Sequence, residues 1–360
     1  MKTLVIPIFI PHLGCPHTCV FCNQRKIAGI SEIPTKEMIS KITTEFLNTL
    51  NNEKKYYLEI AFYGGSFTGI KAELQEEYLS EANALLKQGI INGIRLSTRP
   101  DYINEKVIER LTRYQVTTVE LGVQSLDEEV LLKSERGHKG QVVEKAVSLL
   151  KKAKIKVGIQ LMPGLPGDTP QKVLDTTKRV LNLKPDMVRI YPTVVIKDTK
   201  LAEMYQEKEY TPWSLDEVIE VAAEMLILFS QKKINVIRIG LQATENLHTD
   251  KDLIAGPFHP AMGELVKARV FRKQIENIFR QIDNISQEIN LYCYPGELSQ
   301  VKGQKNQNIT FLQEKYITKI NVLPQKELEK GSLMLIDEKE KTYLSLREEF
   351  LVKYTEEVLY

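Results

Sequence analysis

The chain has 360 residues, 42% hydrophobic and 27% charged, which is enough for a large core and two structural units. Its formal net charge of +2 excludes a strong general attraction to nucleic acid or to a membrane surface. Four cysteines are too few for a disulfide framework, and no apolar run reaches the roughly 18 residues that span a bilayer. Together these features predict a cytoplasmic protein.

Short β-branched, apolar runs alternate with segments of helical periodicity over the first two thirds of the chain. Pro7 and Pro11 interrupt the apolar start, so a buried strand is expected there and not an exported leader that ends at Cys15. This alternation predicts right-handed crossovers and a parallel sheet. The predicted strands, taken as apolar on both faces, are Leu4–Ile10, Leu58–Tyr63, Ile94–Ser97, Thr118–Val123, Val157–Leu161, Val188–Tyr191 and Val236–Ile239. The predicted helices are Lys36–Leu50, Glu73–Lys87, Glu105–Tyr114, Gln141–Ala153, Pro170–Leu181 and Leu215–Ser230.

The predicted strands end in glycine or polar residues. In (βα) barrel enzymes the active-site residues lie at these carboxyl ends of the strands. The predicted fold class is therefore α/β, a partial or near-complete barrel over residues 1–245, with a doubly wound sheet as the alternative. Beyond Ala243 the pattern changes, and residues 246–360 are expected to form a smaller C-terminal α+β domain. Its predicted elements are the helix Leu265–Ile282 and the strands Ile289–Tyr294, Ile317–Leu323 and Leu333–Ile336.

Three cysteines follow the first predicted strand with the spacing Cys-x-x-x-Cys-x-x-Cys, at Cys15, Cys19 and Cys22. Three thiolates on a short loop suit a 4Fe–4S cluster with one iron left free, whereas ordinary structural clusters use four cysteines. The alternative is a zinc site completed by His12 or His17, but zinc sites usually pair two knuckles and the sequence has only one. Cys293 is distant and is expected in the core of a strand.

This spacing, placed after the first strand of a barrel, resembles the radical S-adenosylmethionine (SAM) superfamily. The resemblance implies a 4Fe–4S cluster, held by the three cysteines, that binds SAM at its free iron. It also implies reductive cleavage of SAM to a 5′-deoxyadenosyl radical, which abstracts hydrogen from a substrate.

Five further segments, in the same order, resemble the radical SAM domain of the Elongator catalytic subunit. That subunit has a longer gap between its first two cysteines and an acetyltransferase domain after its barrel, and no such domain is expected in residues 246–360. The segments are Ser97-Thr98-Arg99-Pro100-Asp101, Val119-Glu120-Leu121-Gly122-Val123-Gln124-Ser125, Arg136-Gly137-His138, Met162-Pro163-Gly164-Leu165-Pro166-Gly167 and Ile190-Tyr191-Pro192-Thr193-Val194-Val195-Ile196.

The resemblance also implies a set of SAM-binding residues. Gly64, Gly65 and Ser66 match the glycine-rich turn that meets the SAM amino group, with an ordinary tight turn as the alternative. Arg136 matches the arginine that pairs with the SAM carboxylate, with a surface arginine as the alternative. Asp101 is expected to cap the following helix. Phe21 and Met162 are expected near the adenine, with core packing as the alternative for Phe21, and Thr98 is expected to face SAM or substrate. Gln124 and Gln160 lie at strand ends, each with a satisfied core amide as the alternative.

The sequence thus predicts a radical SAM enzyme, a transferase or oxidoreductase, that acts in RNA modification with tRNA as the candidate partner. A reductase such as flavodoxin or ferredoxin is expected as electron donor, and no membrane partner is expected. The alternative enzyme acts on a small molecule such as a porphyrin precursor; that branch normally has a further cysteine where this chain has Asn23. The non-enzyme alternative is a zinc or RNA-binding module.

Overall fold

The computed structural model describes residues 2–10, 14–15, 19–23, 33–51, 53–241 and 252–359. The chain divides into two compact units. Unit 1 comprises Met1–Trp213 and Gln242–Pro257, and unit 2 comprises Ser214–Leu241 and Phe258–Tyr360. The domain boundary near residue 245 stays a prediction.

The main sheet has seven strands in the order β1-β2-β3-β4-β5-β6-β8. The neighbouring strands from β1 to β6 pair in parallel. The strands follow one another in chain order, and β1 and β8 are the two edges of the sheet, so the barrel is not closed. The predicted α/β partial barrel is therefore confirmed. The strands are β1 (Lys2–Phe9), β2 (Tyr56–Tyr63), β3 (Gly93–Thr98), β4 (Thr118–Gln124), β5 (Lys156–Leu161), β6 (Met187–Ile190) and β8 (Asn235–Ile239); β7 (Val195–Ile196) pairs antiparallel with β9 (Leu253–Ala255).

Helices follow most strands of unit 1, as the alternation of the sequence predicts. Thr169 caps α6 by accepting a hydrogen bond from Lys172 N at 3.2 Å, with Pro170 at the first helical position. The unit 1 helices are α1 (Lys36–Asn48), α2 (Ala72–Lys87), α3 (Glu105–Arg113), α4 (Glu128–Lys133), α5 (Gly140–Lys152), α6 (Pro170–Leu183) and α7 (Lys200–Gln206).

The two faces of the sheet differ in character. Ile60, Phe62 and Leu96 are fully buried on the face that the helices cover, and each such side chain contributes about 1.5 to 3 kcal/mol. The prediction of strands apolar on both faces is wrong for the inner face. That face carries charged residues that pair with one another across the strands, namely Glu59, Arg95, Glu120 and Arg189.

Unit 2 contains a four-stranded sheet in the order β11-β10-β12-β13. Cys293 is completely buried at the end of β10, which confirms its predicted place in a strand core. Ser214 and Glu217 form the predicted capping box of α8. The elements are α8 (Leu215–Gln231), α9 (Met262–Phe279), α10 (Leu298–Lys302), α11 (Gln307–Tyr316), α12 (Arg347–Leu359), β10 (Glu288–Cys293), β11 (Lys319–Pro324), β12 (Leu333–Asp337) and β13 (Thr342–Ser345). Within the described part of the chain, no helix is long and apolar enough to cross a bilayer.

Candidate active site

The glycine-rich turn after β2 lies against the end of β1. Gly64 and Gly65 have φ angles of 88° and 42°, in the left-handed region that glycine adopts without steric cost. A Cβ atom on Gly64 would lie 2.4 Å from Ile10 O. Ile10 N in turn donates a hydrogen bond to Tyr63 O at 2.7 Å, which fixes the two strand ends together. The turn therefore requires glycine at position 64 for both its conformation and its packing.

This packing can be tested by comparing Gly64→Ala with Gly89→Ala. Both glycines have a positive φ, but a Cβ atom on Gly89 would meet nothing within 4 Å. Gly64→Ala is expected to lower the free energy of unfolding by about 1 to 3 kcal/mol more than Gly89→Ala, because only the former adds a clash with backbone. Urea denaturation measures the difference. Equal losses would contradict the close approach of the two strand ends.

The described part of the cysteine loop is held by backbone contacts. A Cβ atom on Gly14 would lie 2.3 Å from Ser66 O, so the loop packs directly on the glycine-rich turn. Val20 N donates to Ser134 O at 3.3 Å, and Leu201 N donates to Val20 O at 2.7 Å. These contacts place the loop at the carboxyl ends of the strands, where the sequence predicts the site.

The three cysteines differ in exposure. Cys19 is buried, Cys15 and Cys22 are half-buried, and Cys22 N donates to Cys19 O at 2.9 Å. Burial raises the pKa of the Cys15 thiol, while the nearby Arg99 guanidinium opposes that rise. His12 and His17, the candidate zinc ligands, lie outside the described residues. Among the residues that the structure describes, no three His, Cys, Asp or Glu side chains are grouped as a single metal ion requires.

Two arginines point at the Cys19 sulfur. Arg136 Nη1 lies 3.1 Å and Arg99 Nη1 lies 3.8 Å from Cys19 Sγ. Arg136 also donates to Gly122 O, at the end of β4, and Arg99 donates to Arg136 O. The expectation that Asp101 caps a helix is wrong, because Asn104 caps α3 and Asp101 forms a bidentate pair with Arg99, with both bonds at 2.9 Å.

The hydroxyl groups of Ser66 and Thr98 are engaged inside the protein. Thr98 Oγ1 lies 2.8 Å from Ser66 Oγ and 2.7 Å from Thr68 Oγ1, and Ser66 Oγ accepts from Arg99 N at 3.1 Å. Both side chains are almost fully buried. They therefore connect the glycine-rich turn to the end of β3, and only their backbone is left to face a ligand.

Gln124 and Gln160 meet at the ends of β4 and β5. Gln160 Nε2 donates to Gln124 Oε1 at 3.2 Å, and Met162 N donates to Gln124 O at 2.9 Å. Gln124 has a φ of 70°, next to a register shift between Gly122 and Gln124. A strained residue at a bulge is a common way to redirect a side chain at a functional site. Phe21 packs instead against an apolar cluster of Val20, Val195, Leu201, Ala202 and Tyr210.

The side chains around Cys19 fit an anionic, sulfur-ligated group. Ser134 Oγ, Arg136 Nε and His138 Nε2 are buried and have no hydrogen-bond partner among the described residues. Burial and the neighbouring Arg136 lower the pKa of His138 to about 4, so its ring is neutral at pH 7. Three cysteines on one loop, with the Cys19 thiol beside two guanidinium groups and these unpaired polar atoms, provide donors that suit an iron–sulfur cluster and a carboxylate ligand.

The inner-face ion pairs are the main feature that sequence reasoning missed. Glu59 and Glu120 are each almost fully buried, and both accept hydrogen bonds from Arg95. A charged residue at the centre of an otherwise apolar strand could have indicated these ion pairs, because a charge is costly to bury unless it has a partner of opposite charge.

Comparisons with known proteins identify the family of the chain. A sequence model described as the radical SAM superfamily matches residues 9–180, and a model of a radical SAM C-terminal domain matches residues 185–272. The chain belongs to the radical SAM superfamily. It is accordingly an enzyme, and the zinc or RNA-binding module is set aside.

Relatives of this radical SAM chain include Elongator-type proteins, which confirms the predicted resemblance. A tRNA uridine(34) acetyltransferase from Methanocaldococcus infernus is 35% identical over 255 residues, which are 60% of this chain and 48% of that protein. Elongator complex protein 3 from Saccharomyces cerevisiae is 28% identical over 191 residues, 48% of this chain and 34% of that protein. The chain thus spans about half or less of the length of these relatives.

A solved structure shares the fold. The archaeal Elp3 of Methanocaldococcus infernus with an N-terminal deletion superimposes with a TM-score of 0.60 at 24% identity. The match covers 76% of this chain and 63% of that one. The radical SAM chain therefore has the barrel architecture of that protein.

Proposed function

We propose that the protein is a 4Fe–4S-dependent radical SAM enzyme that modifies tRNA in the cytoplasm. The observation that carries the proposal is the convergence of the cysteine loop, the glycine-rich turn and Arg136 at the carboxyl ends of the strands. Arg136 Nη1 lies 3.1 Å from Cys19 Sγ, so the proposed cluster ligand and the proposed carboxylate partner are neighbours.

Cys15, Cys19 and Cys22 would hold the cluster. When bound, the cluster supplies the electron that cleaves SAM and yields a 5′-deoxyadenosyl radical for hydrogen abstraction. The chain's own contribution is to orient the ligands. The Arg99–Asp101 pair fixes one guanidinium beside Cys19, and the hydrogen bond to Gly122 O fixes the guanidinium of Arg136 there.

The proposed SAM site is built from strand ends. The backbone of Gly64, Gly65 and Ser66 would meet the amino group, and Arg136 would pair with the carboxylate through its unpartnered Nε. The remaining proposed contacts are those of Phe21, Thr98, Gln124, Gln160 and Met162. Because the hydroxyl groups of Ser66 and Thr98 hydrogen-bond to each other, their proposed contacts with SAM are made through the backbone.

The proposed substrate is a tRNA, and the support is the similarity to the archaeal relative, a tRNA uridine(34) acetyltransferase. A flavodoxin or ferredoxin would supply the electron. The second candidate, a small molecule such as a porphyrin precursor, is favoured by the short cysteine spacing. Against it stands Asn23, which follows the last cysteine and donates to the backbone oxygens of Lys197 and Asp198 at 3.4 and 3.3 Å.

Comparing tRNA nucleosides from a strain that lacks the gene with those of its parent tests this function. A modified uridine is expected to disappear from the tRNA of the deletion strain and to return with the wild-type gene. A gene carrying Cys19→Ala is expected not to restore it, because a cluster ligand is lost. Liquid chromatography with mass spectrometry measures the nucleosides. An unchanged nucleoside profile would favour the small-molecule candidate.

A further inference from the structure

The inner face of the sheet in unit 1 is partly exposed to solvent. Register pairs place Ser97 opposite Glu120, Gly122 opposite Gln160, and Gln160 opposite Arg189 on this face. Ser97, Gly122, Gln160 and Arg189 are partly exposed although they lie in central strands, whereas their chain neighbours on the other face are buried. In a parallel sheet such alternation means that one face is packed and the other is open.

A closed network of ion pairs lies at the base of this face. Arg95 Nη2 lies 2.5 Å from Glu59 Oε2, and Arg95 Nη1 lies 2.7 Å from Glu120 Oε1. Arg189 Nε lies 2.5 Å from Glu120 Oε2 and Arg189 Nη2 lies 3.0 Å from Glu120 Oε1. Two carboxylates thus balance two guanidinium groups, and the network is electrically neutral as a whole.

Arg189 also binds two tyrosine hydroxyls. Its Nη2 donates to Tyr63 Oη at 3.0 Å, and its Nη1 donates to Tyr191 Oη at 2.9 Å. Tyr63 uses its own hydrogen on Glu120 Oε1 at 3.2 Å. Tyr191 does not: no described residue accepts a hydrogen bond from its hydroxyl, and the side chain is partly exposed.

The position of this free donor is fixed relative to the proposed SAM site. Arg189 pairs in register with Gln160, which bonds to Gln124 at the end of β4, and Tyr191 N donates to Leu161 O at 2.8 Å. Tyr191 therefore directly follows β6, beside the end of β5, which carries proposed SAM contacts. Because Arg189 occupies one lone pair of the oxygen, the hydroxyl hydrogen is directed away from the ion-pair network.

We propose that Tyr191, oriented by Arg189, is a substrate-binding residue that donates a hydrogen bond to the carbonyl of an uncharged ring such as a pyrimidine base. This proposal deepens the proposed function and rests on it. An anionic substrate group would need a cation without a partner, whereas Arg189 and Arg95 are both neutralised by buried carboxylates. Binding of a neutral acceptor leaves the charge balance of the network unchanged, and it satisfies the Tyr191 hydroxyl hydrogen, which no described residue accepts.

Saturation-transfer NMR with uridine, on cluster-reconstituted protein with SAM and no reductant, tests the proposal. Uridine ring protons are expected to receive saturation, and Tyr191→Phe is expected to weaken uridine binding by about three- to tenfold, the effect of one lost hydrogen bond. Tyr57→Phe is the matched control, since the Tyr57 hydroxyl bonds to Asn92 O at the opposite end of the strands and is exposed. Succinate, a dianionic probe, is expected to give no signal.

A double-mutant cycle tests whether Arg189 acts through Tyr191. Arg189→Lys keeps the charge beside Glu120 but cannot reach both tyrosines, so it should weaken uridine binding in the wild-type background and have no further effect in Tyr191→Phe. A purely structural role would give the same loss in both backgrounds and would overturn the orienting role.

The proposal is overturned if uridine gives no signal, if Tyr191→Phe leaves its binding unchanged, or if succinate binds in its place. Failure of the proposed function has a different signature. In that case the tRNA nucleosides are unchanged in the deletion strain, while uridine binding still depends on Tyr191.

Discussion

Replacing Cys15, Cys19 or Cys22 with alanine is expected to abolish the binding of about four irons per chain by anaerobically reconstituted protein. The three thiols lie on one loop, and Cys19 lies beside Arg99 and Arg136. With only three ligands in the set, the loss of one leaves two, which cannot retain a cluster that already has an open iron. Iron and sulfide analysis with the visible absorption spectrum measures the effect.

Cys293→Ala is the matched control for these variants. Its thiol is completely buried in the core of unit 2, at the end of β10, and burial together with Glu297 raises its pKa to about 11. The control protein is expected to bind as much iron as wild type. Stoichiometric zinc with no iron uptake in the wild-type protein would reject the cluster, and iron loss in Cys293→Ala alone would reject the assignment of ligands.

The second large effect is expected for Arg136→Lys, which should lower the rate of 5′-deoxyadenosine release from SAM at least about tenfold in dithionite-reduced protein. The Arg136 guanidinium is almost fully buried, donates to Gly122 O and keeps Nε without a described partner. A lysine has one point charge and no fork, so it cannot hold Gly122 O and a carboxylate together. Chromatography of the quenched reaction measures the nucleoside.

Arg113→Lys provides the same exchange at a site without these contacts. The Arg113 side chain is 64% exposed and lies 3.7 Å from Glu76, so its replacement should leave the rate unchanged. Rates are compared per cluster, because Arg136 also contacts the Cys19 sulfur. Equal rates for wild type and Arg136→Lys at equal iron content would remove Arg136 from the SAM site.

The local pattern of the sequence was sufficient for the order of elements in unit 1. Short, β-branched apolar runs and helical segments with period 3.6 reflect burial that each segment must satisfy wherever it packs. Caps such as Thr169 and Ser214 are likewise local, because donor and acceptor lie three residues apart. The parallel sheet followed from the alternation itself, since parallel neighbours need crossovers.

Local sequence patterns do not predict contacts between segments that are distant in the chain. The position of Asp101 in the sequence predicts a helix cap. In the structure Asp101 pairs with Arg99, and Asn104 is the N-cap residue. Both residues suit a cap, so the choice depends on Arg99, whose orientation is set by Arg136 and Cys19. Propensity describes what a residue can do locally, and the tertiary structure selects among those options.

The sequence by itself determined which residues carry the proposed chemistry: three cysteines at cluster spacing after the first strand, a glycine-rich turn after the second strand, and Arg136. Only the tertiary structure decided how the inner face is lined. Glu59, Arg95, Glu120 and Arg189 come from four different strands, and each would be too costly to bury alone. Their pairing depends on strand order and register, which no single segment encodes, and it leaves the hydroxyl hydrogen of Tyr191 without an acceptor among the described residues.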